Sequence, residues 1–419
     1  MDAVLQQQAG SGPPARQDIT LMVPQDDVAD PELSIVIPAL DEEITIARFV
    51  NWCKEGIVAA GIEAEILIVD SSSDRTAEIA VAHGARVLKT PKRGLGRAYI
   101  DAIPYIRGRY VLMGDADCTY DFRDIRAFVE QFRVGSAFIM GSRFKGSIED
   151  GAMPALHRYF GTPLTTWILN AMYGTRFSDI HCGMRGSTRE ALVRMGLVSQ
   201  SWEYASEMVL KSVHLGLRTS EVPVSFLKDT QGRVSHLVRG GWLSPWYAGW
   251  INVKSMFVFG ADYFLIMPGL LLFLTGVALL CLLAFGPVQI GPITFSINSM
   301  LFALFTGIVG LQLFLIGAIA QSLYDGTGRK RRRWLRLFPY TRTTLISAFF
   351  FVAGLALVGR FVSAFIEQGY HFGANLLRLN HYAVFGLFLM MASVLIFVSM
   401  LVIQAIGFYV PIQGADKTS

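Results

Sequence analysis

Asp115 and Asp117, two carboxylates with one residue between them, follow a strand-like run of Arg109-Tyr-Val-Leu-Met-Gly114. At a strand end such a pair can hold a hard divalent cation, Mg2+ or Mn2+, against a diphosphate, and the cation neutralises charge on the group that leaves. A nucleotide-diphosphate sugar is therefore the leading substrate class. Asp117 reads as the main metal ligand, with Asp115 sharing the ion or accepting from a ribose hydroxyl. Two surface aspartates in a turn would be the plain alternative for a lone pair of this kind. It weakens here because the preceding run is apolar and other strand-like runs end in acids too.

Those other ends come earlier in the chain. Ser34-Ile-Val-Ile37 leads into Pro38, Asp41 and Glu42, and Glu65-Ile-Leu-Ile-Val69 leads into Asp70 and Asp74. Asp70 and Asp74, flanking three serines, can present carboxylates to a base and its ribose while the backbone comes close. Asp74 also suits a cap on a helix starting near Thr76, and Asp41 and Glu42 suit the first turn of a helix, whose dipole favours acids. Lys92-Arg93-Gly94-Leu95-Gly96-Arg97 adds cations on a glycine-containing turn. Lys92, Gly94 and Arg97 are the candidates for phosphate contact there, against the default of a solvated charged turn.

The elements that must position these residues alternate. Strands at 34–37, 65–69, 86–88, 109–114 and 137–140 are separated by helical stretches at 43–56, 76–83, 96–106 and 122–132. Short apolar strands between helices predict an α/β domain with an open, mainly parallel, Rossmann-like sheet covered on both faces. Ligands of such sheets bind beyond the carboxyl ends of the strands, where all three acidic ends fall.

The rest of the chain excludes a single soluble domain. Of 419 residues 52% are hydrophobic and 17% charged, with 29 Phe, a balance that implies a membrane part. Residues 256–285, 295–323, 343–366 and 382–409 are each long enough to cross ~30 Å of hydrocarbon at ~1.5 Å per residue, which predicts four transmembrane helices. Arg329, Lys330, Arg331, Arg332, Arg333, Arg336 and Arg342 crowd the middle connection, whereas the outer connections hold almost no bases. By the positive-inside rule that connection, both termini and the polar domain are cytoplasmic, in a multi-pass protein of a bacterial-type inner membrane. Residues 1–32 read as a disordered lead, 33–228 as the sheet domain, 229–256 as an interfacial segment rich in Trp and bases, 257–411 as the membrane domain and 412–419 as a tail. Four scattered cysteines fit a reducing compartment and give no metal or disulfide frame. A net charge of +4, concentrated in one loop, argues against a nucleic-acid partner. Self-association stays open.

Ser34-Ile-Val-Ile-Pro-Ala-Leu-Asp-Glu-Glu43, Ile68-Val-Asp-Ser-Ser-Ser-Asp74, Arg93-Gly-Leu-Gly-Arg-Ala98, Gly114-Asp-Ala-Asp117, Gly141-Ser-Arg-Phe144 and Cys182-Gly-Met-Arg185 occur in this order. Together, over residues 33–240, they resemble family 2 glycosyltransferases of the GT-A fold, in particular the polyprenyl-phosphate (dolichyl-phosphate) hexose synthases. The resemblance implies transfer of a hexose, UDP-glucose being the first guess for its donor, to polyprenyl phosphate on the cytoplasmic face with inversion. Three departures stand out: Asp41-Glu42 where the family usually has Asn-Glu, Thr119 where it often has Gln two residues past the metal-binding Asp, and Ser235-His-Leu237 where it commonly has Ser-Lys-Leu.

A phosphate monoester is already anionic at pH 7, its second pKa lying near ~6, so an acceptor of that kind needs no strong base. It needs cations that hold it in line. Arg143, Arg158 and Arg185 are the candidates, and Asp179, which matches the family's acidic residue near the acceptor, orients an arginine or takes a residual proton. Two rival readings are carried: a processive membrane polysaccharide synthase, prompted by Lys330-Arg-Arg-Arg-Trp334, and a non-catalytic membrane carrier or scaffold.

Overall fold

A computed structural model describes residues 18–230, 232, 260–325, 328–371 and 376–409. The chain divides into two units, Met1–Met256 and Phe257–Ser419.

The first unit is built on β1 (Thr20–Met22), β2 (Leu33–Ala39), α1 (Ile46–Ala60), β3 (Ala64–Asp70), α2 (Thr76–Ala82), β4 (Arg86–Lys89), α3 (Leu95–Ala102), β5 (Tyr110–Met113), α4 (Arg126–Arg133), β6 (Phe138–Ile148), α5 (Thr162–Tyr173), β7 (Arg185–Thr188), α6 (Arg189–Met195), α7 (Tyr204–His214) and β8 (Thr219–Phe226). One eight-stranded sheet has the order β1-β4-β3-β2-β5-β7-β6-β8. Its centre is parallel, β4 with β3, β3 with β2 and β2 with β5, while β7 runs antiparallel between β5 and β6. The central strands are apolar throughout because helices cover both faces: Ile35, Val36, Ile37, Leu67, Ile68, Val69, Val111 and Leu112 are all buried. From β2 the chain steps outward through β3 and β4, then returns to β5 on the opposite side of β2. The carboxyl ends of β2 and β5 thus flank a topological switch point, where an open parallel sheet leaves a crevice.

The expected disordered lead is corrected from residue 18 onward. β1 pairs antiparallel with β4, and Asp27 meets Arg107 through two bonds, Oδ1 from Nη2 at 2.7 Å and Oδ2 from Nη1 at 2.9 Å. Arg107 Nε also donates to buried Glu65 (2.8 Å), as does the guanidinium of Arg86. Composition hid this because the segment is anchored by charge pairing and not by an apolar run.

The second unit contains α8 (Met267–Leu283), β9 (Val288–Ile290), β10 (Ile293–Phe295), α9 (Ile297–Tyr324), α10 (Arg329–Leu337), α11 (Tyr340–Glu367) and α12 (Leu376–Tyr409). Four stretches, Asp262–Leu283, Ile297–Tyr324, Tyr340–Glu367 and Arg378–Tyr409, are long and apolar enough to cross a membrane, which suggests a membrane-associated protein. α8 and α9 approach backbone to backbone: a Cβ on Gly276 would lie 2.3 Å from Gly307 N. Small residues permit such contact where the surrounding solvent gives apolar helices no reason to associate. The short hairpin β9–β10 and the helix α10 were not expected from sequence. The predicted interfacial segment, apart from 229, 230 and 232, lies outside the described residues.

Candidate active site

A cavity of about 490 Å³ opens at the switch point, lined by Pro38, Ala39, Leu40 and Glu42 after β2, Val69 and Ser71 at the end of β3, Lys92 and Gly94 before α3, and Asp115, Ala116, Asp117, Thr119 and Tyr120 after β5. Ser201, Trp202, Phe226 and Asp229 complete other walls. Of the residues singled out for a nucleotide sugar, Pro38, Glu42, Lys92, Gly94, Asp115 and Asp117 meet here.

Local geometry ties the loops together. The amide of Asp41 donates to Ser72 Oγ (2.7 Å), and Asp41 Oδ1 accepts from the amide of Ser73 (3.0 Å). The amide of Glu42 donates to Thr76 Oγ1 (2.9 Å), and Glu42 Oε2 accepts from Thr45 Oγ1 (2.8 Å). Asp41 and Cys118 adopt left-handed backbone, φ 49° and 59°, an unusual conformation for residues with side chains that clusters at functional loops. Gly94 has φ 109°, and a Cβ there would stand 2.3 Å from Gln200 O. Only glycine lets that loop pass.

Asp115 and Asp117 are half-buried. Asp117 Oδ1 accepts from the amide (2.9 Å) and hydroxyl (2.6 Å) of Thr119, which fixes the turn. A Cβ on Gly183 would meet Asp115 Oδ2 at 2.5 Å, so the space around that carboxylate depends on glycine. Among the described residues no group of three or more His, Cys, Asp or Glu side chains is assembled to hold a metal. Two hard carboxylates beside a cavity nonetheless fit Mg2+ or Mn2+, ions commonly bound by one or two carboxylates and completed by substrate phosphates and water.

The other expected nucleotide contacts are engaged elsewhere. Asp70 is fully buried, takes the amide of Ser72 on Oδ1 (3.2 Å) and pairs Oδ2 with Lys89 (3.1 Å); it is not among the lining residues. Asp74 Oδ1 accepts from the amide of Thr76 (3.0 Å) and its Oδ2 from that of Glu43 (3.2 Å). Burial works to raise its pKa, and the hydrogen bonds from Thr76, Glu43 and its own backbone together more than reverse this, leaving it below the usual value. The Thr76 bonds fix the turn into α2, and the Glu43 bond ties this loop to the one after β2. Arg97 pairs with Asp101, Nη2 to Oδ1 at 2.9 Å, and is outside the cavity wall.

A second feature stands beside Phe226. Arg143, on β6, sends Nε to Asp179 Oδ2 (2.6 Å) and Nη2 to Oδ1 (2.9 Å), with its guanidinium 5.2 Å from the centre of the Phe226 ring. β6 and β8 shift register between Ser142 and Ser147, an irregularity that can re-aim a side chain. Glu221 on β8 holds the partner loop by accepting from the amide of Ser178 (2.6 Å). Burial opposes both charges, yet the pairing leaves Arg143 above and Asp179 below their ordinary pKa values. Neighbouring His181 is pushed down to about 4, chiefly by burial.

The remaining arginines differ. Arg158 is half-buried in the π-helical turn His157–Gly161, 5.5 Å from the Tyr159 ring. Arg185 directs Nε and Nη2 to Cys182 O (3.1 and 2.7 Å) and Nη1 to Ala205 O (2.5 Å). Carbonyl oxygens thus take up its guanidinium, which joins the start of β7 to α7. Sequence reading missed Tyr120, Trp202 and Phe226. Tyr120 Oη accepts from the amide of Gly183 (2.8 Å), and its position three residues past Asp117 carried no periodic signal.

Comparison with known proteins follows the same residues. The description "Glycosyl transferase family 2" fits residues 34–196. The low-salt glycan biosynthesis hexosyltransferase Agl6 of Haloferax volcanii is 35% identical over 358 residues, 84% of this chain and 84% of that protein. The dolichyl-phosphate hexose transferase of the same organism is 28% identical over 201 residues, 46% of this chain and 82% of its own length. Mannosyl-3-phosphoglycerate synthase from Rubrobacter xylanophilus aligns at 22% identity over 54% of this chain and 72% of that one, with a TM-score of 0.42. Identity of 35% across most of both chains, on a sheet whose switch-point loops carry the motifs, makes this chain a glycosyltransferase and a member of glycosyl transferase family 2.

Proposed function

We propose that the enzyme moves a hexose, with inversion at the anomeric carbon, from a nucleotide diphosphate to a polyprenyl phosphate at the cytoplasmic face of a membrane. The observation that carries the reading is the buried Arg143–Asp179 pair beside the Phe226 wall of the acidic cavity. A cation held rigidly by a carboxylate suits an acceptor that arrives with its own negative charge. Relatives named for hexosyl transfer, one to dolichyl phosphate, agree with this chemistry, as do the four apolar helices.

In this reading the nucleotide lies along the loops after β2 and β3, with Pro38 and Glu42 at its base and ribose, and Lys92 and the Gly94 turn near its phosphates. Asp115 and Asp117 would hold Mg2+ or Mn2+, which when bound stabilises charge on the departing diphosphate, an effect worth several kcal/mol. Arg143, with two nitrogens committed to Asp179, meets the acceptor phosphate through the part of its guanidinium that Asp179 does not engage. An acceptor phosphate oxygen attacks the anomeric carbon as the bond to the diphosphate oxygen breaks, and the bonding pair leaves with the diphosphate. No proton has to be removed from the nucleophile. Asp179 positions Arg143, and Arg158 is a second cation for the same phosphate.

The test is kinetic. Arg143→Lys keeps the charge and loses the paired geometry; it should raise the KM for polyprenyl phosphate at least ~10-fold, the cost of one charge-assisted contact of ~1.4 kcal/mol or more, with the KM for UDP-glucose near wild type. Equal losses on both substrates would contradict the acceptor role.

A further inference from the structure

The connection between the second and third apolar helices folds as α10, and its two faces differ. On one face Trp334 and Arg331 are buried. Trp334 Nε1 donates to Gln321 Oε1 (2.5 Å), and its ring stands edge-on to Phe314 at 5.6 Å and packs with Ala318 and Ile403. Arg331 Nε donates to Ser322 O (3.1 Å), its amide to Asp325 Oδ2 (2.9 Å), and Lys330 pairs with Asp262 at 2.6 Å. That face is therefore tied to the start of the first apolar helix, the end of α9 and the end of α12.

The other face carries Arg329, Arg332, Arg333 and Arg336, all exposed. Their spacing of three, four and seven residues puts the four guanidinium groups in one row. Like charges at these intervals repel, and α10 itself contains no acid. Asp262 pairs with the Lys330 ammonium, and Asp325 Oδ2 accepts from the backbone amide of Arg331. α9 and α11 each have 28 residues, about 42 Å of helix against ~30 Å of hydrocarbon, so their ends reach the headgroup layer. α10 lies between those ends.

We infer that this arginine row is a docking surface for the phosphates of anionic phospholipids in the leaflet where α9 ends and α11 begins. Guanidinium matches phosphate in charge and in paired hydrogen-bond geometry, and basic clusters beside a membrane helix attract anionic lipid. The inference rests on the four helices crossing a bilayer and is independent of the acceptor assigned to Arg143.

The test uses full-length protein in micelles containing equal amounts of phosphatidylglycerol and phosphatidylcholine, with retained lipid identified by mass. Phosphatidylglycerol should be enriched at least ~5-fold, the effect expected of a single arginine at the surface, and the enrichment should fall when salt rises from about 0.05 M to about 0.5 M. The variant R332Q/R333Q/R336Q should lose it, while R332K/R333K/R336K should keep most of it. The salt series on wild-type protein decides the matter if the glutamine variant fails to fold. Equal retention of the two lipids, enrichment that survives in the glutamine variant, or displacement of phosphatidylglycerol by inorganic phosphate or by trace polyprenyl phosphate would overturn the proposal.

Discussion

Arg143 Nε stands 2.6 Å from Asp179 Oδ2 in a pair almost closed to solvent. Both partners are carried by structure that sets them face to face: Arg143 by the irregular stretch of β6, Asp179 by a loop that Glu221 holds through Ser178. Removing one partner of such a pair leaves a buried charge without compensation, at a cost of about 3–5 kcal/mol. Asp179→Asn should therefore lower the thermal stability of the first unit markedly, and denaturation followed by tryptophan fluorescence would show it. A variant as stable as wild type would mean the pair is not closed as described.

Asp117→Asn separates turn geometry from charge. The amide oxygen can still accept from Thr119, as Oδ1 does now, whereas the negative charge is lost. Turnover should drop ~100-fold or more, consistent with several kcal/mol of charge stabilisation, and the concentration of Mg2+ or Mn2+ giving half activity should rise. Unaltered turnover and metal dependence would remove Asp117 from the catalytic centre.

Gly94→Ala places a Cβ 2.3 Å from Gln200 O on backbone at φ 109°. Relief requires moving the loop that carries Lys92, and the strain is of order 1–3 kcal/mol. The expected result is a raised KM for the nucleotide sugar with little change for the lipid acceptor. Donor kinetics measured at saturating acceptor would reveal it, and a wild-type value would show that this loop does not contact the donor.

His181 gives a pH dependence with a definite sign. Its pKa is held at about 4 in the folded state, against ~6.5 when unfolded. Above pH ~6.5 neither state is protonated and the group is neutral in its effect. As pH falls from ~6.5 towards 4 the unfolded state takes up a proton that the folded state refuses, so stability declines, by about 2–3 kcal/mol in total. Asp179, whose pKa is lowered, contributes its loss only further down, as pH falls through its folded value. Stability measured across this range should slope downward in the wild type and less so in His181→Gln, which can keep a hydrogen bond to Thr165 Oγ1 (2.7 Å).

The parallel centre of the sheet was legible because β2, β3 and β5 are apolar runs with Pro38, Asp70 and Asp115 at or just past their ends, and the cavity-lining Asp115, Asp117 and Glu42 could be read from those ends. The antiparallel strand β7 was not, since Arg185-Gly-Ser-Thr188 has neither β-branched density nor alternation. Charge pairing that anchors residues 18–32 through Asp27 spans some 80 positions, and no local pattern announces it. Asp70 and Arg185 show a related limit: spacing reveals that a charged residue lies near a strand end, but only packing reveals that Lys89 or a carbonyl already meets it. Phe226 and Trp202 reach the cavity from distant segments, so their role depends wholly on tertiary contacts.

The central claim, that one hexose passes to a lipid phosphate, is tested most directly by the mass and anomeric configuration of the product. Membrane-reconstituted protein would be incubated with Mg2+ or Mn2+, polyprenyl phosphate and each of UDP-glucose, other UDP-sugars and GDP-mannose. The account predicts a single polyprenyl-phosphate monosaccharide, inverted at its anomeric carbon, from one donor and abolished by chelation. A polysaccharide chain, a retained configuration, or sugar transfer that ignores polyprenyl phosphate would contradict it.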